Sequence, residues 1–332
     1  MSLKHKMTIQ EIAEEAGVSK TTVSFFLNGK REKMSSKTWD RISKVIDKYN
    51  YRPSTTARLM TAKHSCLLGV LIGDITHNFS NHLVKGIAQV CRDGGYQILI
   101  GTSEYDEQEE SNHIDRMIDM AVDGLILQPC GNPEVSLDKL KKAGIPVVFI
   151  DSNPKGIPLW VVTSNYQSTF DAISSCIETK YKQVIVFSAT PSVLTSRQER
   201  YQGCLDALHK HNTKYCVQII DEDTPENEIL ETVERHYKKA PTLVFVPNCW
   251  LLPKVFTALK PLHDKIPSEL GLLGFDNDDW ANLSAPTIST IVQPAYQEGA
   301  TAAALLIDHI RGRIENPTTT VLQCETIWRG ST

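Results

Sequence analysis

The sequence has no apolar run of the ~18 residues that a membrane span needs. Its opening, "MSLKHKM", has basic residues without the apolar stretch of a secretory signal, which points to the cytosol. There is no C-x-x-C pair and no histidine partner at zinc spacing. The eight cysteines (Cys66, Cys91, Cys130, Cys176, Cys204, Cys216, Cys249 and Cys324) are scattered, several within strand-like runs such as "CLLGVLIG". That pattern reads as buried reduced thiols rather than metal ligands or disulfides, so neither a metal nor a cofactor is expected. Enzyme signatures are missing as well: no G-x-G-x-x-G after a strand, no phosphate loop, no H-E-x-x-H and no G-x-S-x-G. "DNDDW" at 276–280 lacks the spacing and closing Glu of a calcium loop. No catalytic residues are expected.

What is present is a long chain with uneven charge. Its 332 residues suggest two or three domains, and 41% hydrophobic with 22% charged residues is a globular composition. The net charge of −4 hides an asymmetry: residues 1–64 carry 13 Lys+Arg against 6 Asp+Glu, a balance of +7, and the rest balances at −11. A basic head on an acidic body predicts that the head meets a polyanion.

In the head, Thr8-Ile9-Gln10-Glu11 has capping-box form and predicts a helix with Ile9, Ile12, Ala13 and Ala16 on one face. Gly17-Val18-Ser19 predicts a tight turn, and Ser19 caps a second helix closed by Asn28-Gly29. This is a helix-turn-helix pattern. At 100° per residue, Thr22, Val23, Phe26 and Leu27 share the arc that packs on the first helix. Lys20, Thr21, Ser24 and Phe25 share the outer arc. Short hydroxyls, one cation and one ring suit a major-groove reader; a plain helical hairpin with a solvated face is the alternative. A third helix follows, with Trp39, Ile42, Val45, Ile46 and Tyr49 as its stripe. Then Pro53 breaks the structure, and "STTARLMTAK" is too short to be a stable helix alone.

"TIQEIAEEAGVSKTTVSFFLNGK…NYRPSTTARLM" resembles the head and hinge of the lactose-repressor/galactose-repressor family of bacterial transcription regulators. The resemblance implies a DNA-binding head over residues 1–50, a hinge over 51–64 and an effector-binding and dimerisation domain over 65–332. It implies base reading by Lys20 and Thr21, backbone contacts from Thr22 and Ser24, and DNA contacts at Thr8, Ser19, Phe25, Asn28, Arg52 and Ala57. Phe25 stands where many members carry arginine. Met60 stands where the family wedges a leucine into the minor groove at a central base step.

From residue 66 the chain alternates short apolar runs with helical stretches. Strands are predicted at 66–73, 96–101, 124–128, 146–150, 183–188, 217–220, 242–247 and 270–274. Helices between them include 80–93, 107–121, 167–179, 197–211 and 294–312. Such alternation means parallel sheets, and roughly 268 residues suggest an α/β body of two doubly wound lobes with a ligand cleft between them. The pattern resembles the family's effector domain, related to periplasmic sugar-binding proteins. That implies crossings near 163–165, 289–293 and 322–324, with lobe one about 65–164 and 292–322 and lobe two about 165–291 and 323–332. Polar residues at strand ends are the effector-binding candidates: Asp74, Phe79, Asp151, Asn248, Asp276 and Trp280, with Arg197 and Arg200 in "SRQERYQGCLDAL" and Gln293 at a crossover. Carboxylates and amides serve sugar hydroxyls, rings stack on sugar faces, and arginine pairs with a carboxylate or phosphate. An Asp at a strand end can equally be a helix cap.

Asn248-Cys249, Asp276-Asn277, Ser164-Asn165 and "THNFSN" depart from the family's usual pairs, so the pocket differs from that of the galactoside members. "TPSVLTSRQER", "GFDNDDW" and "IVQPAYQEGA" look most like members that respond to sugar acids such as ketodeoxygluconate. The expectation is a cytoplasmic homodimeric repressor of carbohydrate catabolism, bound to a near-palindromic operator and controlled by a sugar-like effector, with no membrane partner. A dimer is expected over a tetramer because no heptad stretch follows "ETIWRGST". The alternative is a sugar-binding protein of a transport or chemosensory system without a DNA role.

Overall fold

The computed structural model describes residues 7–51, 64–152, 159–191, 194–276, 278–314 and 319–332. The chain forms two compact units, Met1–Ser65 and Cys66–Thr332. Arg52, Ala57 and Met60 lie outside the described residues, as does most of the expected hinge.

In the first unit, α1 (Ile9–Glu15) starts with the full capping box. The Glu11 N–H donates to Thr8 Oγ1 at 3.3 Å, and the Thr8 N–H donates to Glu11 Oε2 at 2.7 Å. Gly17 turns the chain at φ +59°, which a side chain would resist. Ser19 caps α2 (Lys20–Leu27) by accepting the Thr22 N–H at 3.1 Å. A short 3-10 turn, Arg31–Lys33, leads to α3 (Ser36–Tyr49). Ile12, Ala13 and Val23 form the buried core, with Val18, Leu27, Val45, Ile46 and Tyr51 around it. Phe26 was expected in that core. Instead it is half-buried on Trp39, with ring centroids 4.2 Å apart, where the Arg31 guanidinium covers the Trp39 ring at 5.6 Å. The head keeps this pair as a separate packing site because its core is small.

The second unit holds two six-stranded sheets. The first is built from β1 (Leu67–Ile72), β2 (Gln97–Thr102), β3 (Gly124–Leu127), β4 (Val147–Ile150), β5 (Trp160–Thr163) and β11 (Thr319–Leu322), in the order β11-β5-β4-β3-β1-β2. The second is built from β6 (Gln183–Ser188), β7 (Lys214–Ile219), β8 (Thr242–Val246), β9 (Leu270–Phe275), β10 (Ser289–Val292) and β12 (Glu325–Ile327), in the order β12-β10-β9-β8-β6-β7. The pairs within both sheets are parallel except β10 with β12. Central strands such as β4, β8 and β9 are buried on both faces, which is why they read as unbroken apolar runs.

Helices cover each sheet on two sides: α4 (Asn78–Gly94), α5 (Glu107–Asp119) and α6 (Pro133–Ala143) in lobe one; α7 (Asn165–Thr179), α8 (Thr195–Lys210), α9 (Glu226–Tyr237), α10 (Leu252–Ala258) and α11 (Asp278–Ala281) in lobe two. The chain then returns to lobe one as α12 (Ala295–Ile310), which packs along α4. That packing needs glycine: a Cβ on Gly86 would lie 2.0 Å from the Tyr296 carbonyl, and one on Gly299 would lie 2.1 Å from that of Leu83.

Four strands went unpredicted: β5, β10, β11 and β12. Each spans only three or four residues and includes Thr, Ser or Glu, so none shows the unbroken apolar run by which the equally short β3 and β4 were found. The edge strand β7 starts at Lys214 rather than at 217, because Lys214 and Tyr215 are exposed and break the apolar run. Cys66, expected inside β1, precedes it at φ +57° and is exposed.

Candidate functional site

Two surfaces concentrate the candidate residues, one in each unit. On the head, Lys20 and Thr21 are exposed on the first turn of α2. Ser24 and Asn28 are tied together, the Asn28 amide donating to the Ser24 carbonyl at 2.8 Å. Thr22, assigned by periodicity to the inner arc, is only half-buried, and its hydroxyl bonds that of Ser19 at 2.8 Å. Phe25 is half-buried rather than free, with Lys30 Nζ 5.9 Å from its ring centre. Lys30 thereby puts a cation beside the ring.

In the body, the carboxyl ends of both sheets open into one cleft of about 390 Å³ of empty space, counted to its mouth. This is the switch-point position at which open α/β sheets bind ligands. Asp151 and Asp276 hold matching places in the two lobes. Each directly follows the corresponding strand, β4 or β9, and each has a left-handed backbone, φ +53° and +56°. Asp276 is braced by Gln293, whose N–H donates to Oδ1 at 2.9 Å and whose side-chain amide donates to Oδ2 at 2.7 Å. Gln293 in turn accepts from the Thr163 hydroxyl at 2.8 Å, so the crossover strands hold the site. Asp151 Oδ2 accepts from the Gln128 amide at 2.7 Å.

Arg200 is buried on α8. Its Nε donates to Asn165 Oδ1 at 2.8 Å, its Nη1 donates to the Pro247 carbonyl at 3.1 Å, and the guanidinium lies 3.7 Å above the Phe275 ring. Arg197, one turn earlier, stands between two rings, 4.9 Å from Tyr105 of lobe one and 4.3 Å from Trp250 of lobe two. His77 then stacks on Trp250 at 5.4 Å and 14°. A column of rings and one cation thus crosses between the lobes twice.

Burial dominates the electrostatics. It raises Asp151 and Asp276 above the usual carboxylate range, and Arg200 opposes it in both. Burial also pulls Arg197 down, while Tyr105 and Asp151 push it back up. It pushes the Tyr105 hydroxyl and the Cys249 thiol up to about 12 each, so both are neutral. The cleft therefore offers fixed carboxylates and amides for hydroxyl groups and two guanidinium groups for an anion.

Six of the nine effector candidates line this cleft: Phe79, Asp151, Arg197, Arg200, Asp276 and Gln293. Three do not. Asp74 is occupied beside the cleft, accepting from the Thr76 N–H and hydroxyl at 2.7 Å each and pairing with His77 at 3.3 Å. Asn248 ties the ends of β6 and β8 together, its Oδ1 accepting the Ala189 N–H at 2.8 Å. Trp280 packs into the lobe-two core against Phe256, with centroids 5.9 Å apart. The cleft also uses residues that sequence reasoning missed: His77, Ser80, Tyr105, Gln128, Leu194, Ser196, Cys249 and Trp250. Gln128 directly follows β3, so the strand-end rule applied to every strand would have found it. Ser196 carries no such signal.

Known proteins share both units. The sequence pattern described as bacterial regulatory proteins, lacI family, matches residues 8–54, and that of the periplasmic binding protein domain matches 68–314. The HTH-type transcriptional regulator KdgR of Bacillus subtilis (strain 168) is 30% identical over 329 residues, 98% of this chain and 97% of that protein. The chain belongs to the lacI family of bacterial regulatory proteins. IdnR, an HTH-type transcriptional regulator of Escherichia coli K12, is 25% identical over 331 residues, 99% of each chain. The solved structure of the lac repressor dimer bound to operator and the anti-inducer ONPF has the same fold, with a TM-score of 0.85 over 99% of each chain at 18% identity. As a member of the lacI family the chain is a helix-turn-helix transcriptional regulator, and α1 to α3 lie within the segment 8–54 that the lacI-family pattern matches. Among the described residues, no helix is long and apolar enough to cross a membrane.

Proposed function

We propose that this lacI-family regulator acts as a homodimer that represses carbohydrate-catabolism genes from a near-palindromic operator, and that a sugar acid bound in the cleft sets its operator affinity. The observation that supports the sugar-acid reading is the pairing of Arg197 and Arg200 with Asp151, Asp276 and Gln293 around one cleft. A neutral sugar calls for no charged partner, whereas the carboxylate of an acid must replace the water it loses, and a guanidinium does so with paired charge-assisted hydrogen bonds. Arg197 is the anion-binding group in this reading: its faces are held by Tyr105 and Trp250, while Arg200 is committed to Asn165 and Pro247. Asp151 and Asp276 receive hydroxyls, and Phe79 covers an apolar face of the ring.

On DNA, Lys20 and Thr21 read base edges at the start of α2. Thr8, Ser19, Thr22, Ser24 and Asn28 position the backbone, and Phe25 presses on a thymine methyl or a sugar. Arg52, Ala57 and Met60 belong to the hinge segment that two subunits insert together into the minor groove. Occupancy of the cleft changes the angle between the lobes and so shifts the population of the DNA-binding state.

The test is a thermal-shift screen of the whole chain with D-gluconate, D-galacturonate, other sugar acids, the matching neutral sugars and sugar phosphates, followed by operator titration with each hit. A sugar acid that raises the melting temperature and changes operator affinity is expected. Stabilisation by neutral sugars alone would overturn the sugar-acid reading, and hits among sugar phosphates alone would move the anion class to phosphate.

A further inference from the structure

Behind the cleft, bonded to the backbone of Asp151, lies one more acid, on a helix that lines none of the cleft. Glu298 sits in the first turn of α12 and is fully shielded from solvent. Its Oε1 accepts the backbone N–H of Asp151 at 2.9 Å, while its Oε2 is buried without a hydrogen-bond partner among the described residues. Asp151 is in a similar state. Oδ2 is taken by Gln128, and Oδ1 is buried with no hydrogen-bond partner in good geometry among the described residues, although the Ser196 side chain is near enough to favour the charge. The Glu298 carboxyl thus holds the Asp151 backbone, and each of the two acids keeps a buried oxygen that has no hydrogen-bond partner among the described residues.

The charged groups that reach Glu298 are Asp151 at the end of β4, Asp276 at the end of β9 and Arg200 on α8. The helix packed along α12, α4, meets it through Gly86 and Leu83, which carry no charge. Two acids face Glu298 against one guanidinium, and Arg200 is already bound to Asn165 and Pro247. Neighbouring buried carboxylates resist double ionisation, so one proton stays with the pair. Asp151 has Arg200, Arg197 and Gln128 favouring its charge, whereas for Glu298 Arg200 opposes both Asp151 and Asp276. The proton therefore belongs on Glu298, on the oxygen that has no donor to accept from.

We propose that Glu298 is a positioning residue that keeps a proton, and that this proton holds Asp151 ionised, pinned at its left-handed backbone and ready to accept a ligand hydroxyl. Occupancy by a ligand is thereby coupled to pH. This rests on the reading of the cleft as a site for a hydroxylated ligand, but the state of Glu298 can be measured without any ligand. A carboxyl whose folded pKa is raised binds more protons when native than when unfolded. Its contribution to stability therefore declines as pH rises from the unfolded value toward the folded one.

The experiment compares the melting temperature of the full chain, wild type and Glu298→Gln, from about pH 5 to about pH 8. Without ligand, the wild type should lose melting temperature with rising pH relative to Glu298→Gln, which cannot ionise. Superimposable profiles would overturn the proposal. An infrared spectrum of the wild type with isotope-labelled glutamate gives the same answer without a variant, should Glu298→Gln not fold. A protonated glutamate carbonyl band at neutral pH is expected, and its absence overturns the proposal. With the acid found in the effector screen, Glu298→Gln should bind within a few-fold of wild type and lose its pH dependence, because its amide oxygen still accepts the Asp151 N–H. Glu298→Leu, which removes that acceptor, should bind at least about tenfold more weakly. Equal affinity in Glu298→Leu would overturn the positioning role. If no sugar acid binds, the effector reading fails, and the two ligand-free measurements still decide the state of Glu298.

Discussion

Replacing Arg197 with alanine tests the cleft most directly. Arg197 is half-buried between Tyr105 at 4.9 Å and Trp250 at 4.3 Å, so the substitution removes two cation–ring contacts together with the charge proposed to meet the effector. Each contact is worth about 0.5–2 kcal/mol. Relief from holding a guanidinium out of water offsets part of that loss, so stability should fall by only about 1 kcal/mol. The effector should lose far more. Truncating one partner of a buried charge pair costs about 2–5 kcal/mol, which is roughly 30-fold to several-thousandfold in Kd. Operator affinity without effector should stay within a few-fold, because the substitution lies in the body and leaves the head surface unaltered. Arg197→Lys is the control: it keeps the charge but not the flat group between two rings, and should fall between wild type and alanine. The assays are calorimetric titration with the acid from the effector screen and fluorescence anisotropy on labelled operator. If Arg197→Ala binds the acid within about threefold of wild type, Arg197 does not meet the anion, and the charge argument passes to Arg200 or fails.

Four further outcomes follow from named contacts. Phe25→Arg should change operator preference in a binding-site selection, with guanine gaining at the contacted position; an unchanged preference would mean that Phe25 only packs beside Lys30. Phe26→Ala should remove the Trp39 contact and cost the head about 2 kcal/mol by denaturant melts, since the ring is half-buried; a loss no larger than that of an ordinary surface substitution would refute the role given to the pair. Gly299→Ala forces a Cβ to within 2.1 Å of the Leu83 carbonyl and should cost about 1–3 kcal/mol in urea unfolding of the body, whereas unchanged stability would mean that α4 and α12 can separate freely. Operator affinity should fall steeply with salt, about a thousandfold between ~50 and ~200 mM for a dimer touching some six phosphates, and a flat titration would contradict the reading of the +7 head.

The parts of this fold that the sequence disclosed are those set by neighbours in the chain. Thr8 with Glu11, and Ser19 with Thr22, cap their helices over three residues, so the helix starts can be read from residue types alone. Strands buried on both faces, such as Val147–Ile150 and Leu270–Phe275, announce themselves as apolar runs. The short strands β5 and β10 and the edge strands β11 and β12 owe their existence to partners far away in sequence, such as Val162 beside Val321 and Ile291 beside Thr326. No local pattern marks them. The same limit explains the head: helical phase placed Phe26 on the inner arc, but only the tertiary fold decides that Trp39 meets it.

At the cleft, the strand-end rule placed Asp151 and Asp276 correctly beside the opening, since residues that follow central parallel strands reach the switch point whatever they are. The rule failed for Asn248 because it gives a position and not a direction: two residues past its strand, Asn248 turns back to close the gap between β6 and β8. It could not have found Glu298 at all. In sequence Glu298 reads as an acid in the first turn of an amphipathic helix, where the helix dipole favours a solvated carboxylate. What changes its meaning is the close approach of α12 to α4 through Gly86 and Gly299, which buries that first turn. The two glycines and the acid then belong to one arrangement. The close contact buries Glu298, burial raises the cost of charge on it, and a neutral Glu298 leaves the charge to Asp151, the residue that lines the cleft. On this argument Gly299→Ala should do more than loosen the helix pair. By admitting water beside Glu298 it should also flatten the dependence of stability on pH, a result that packing loss alone would not produce.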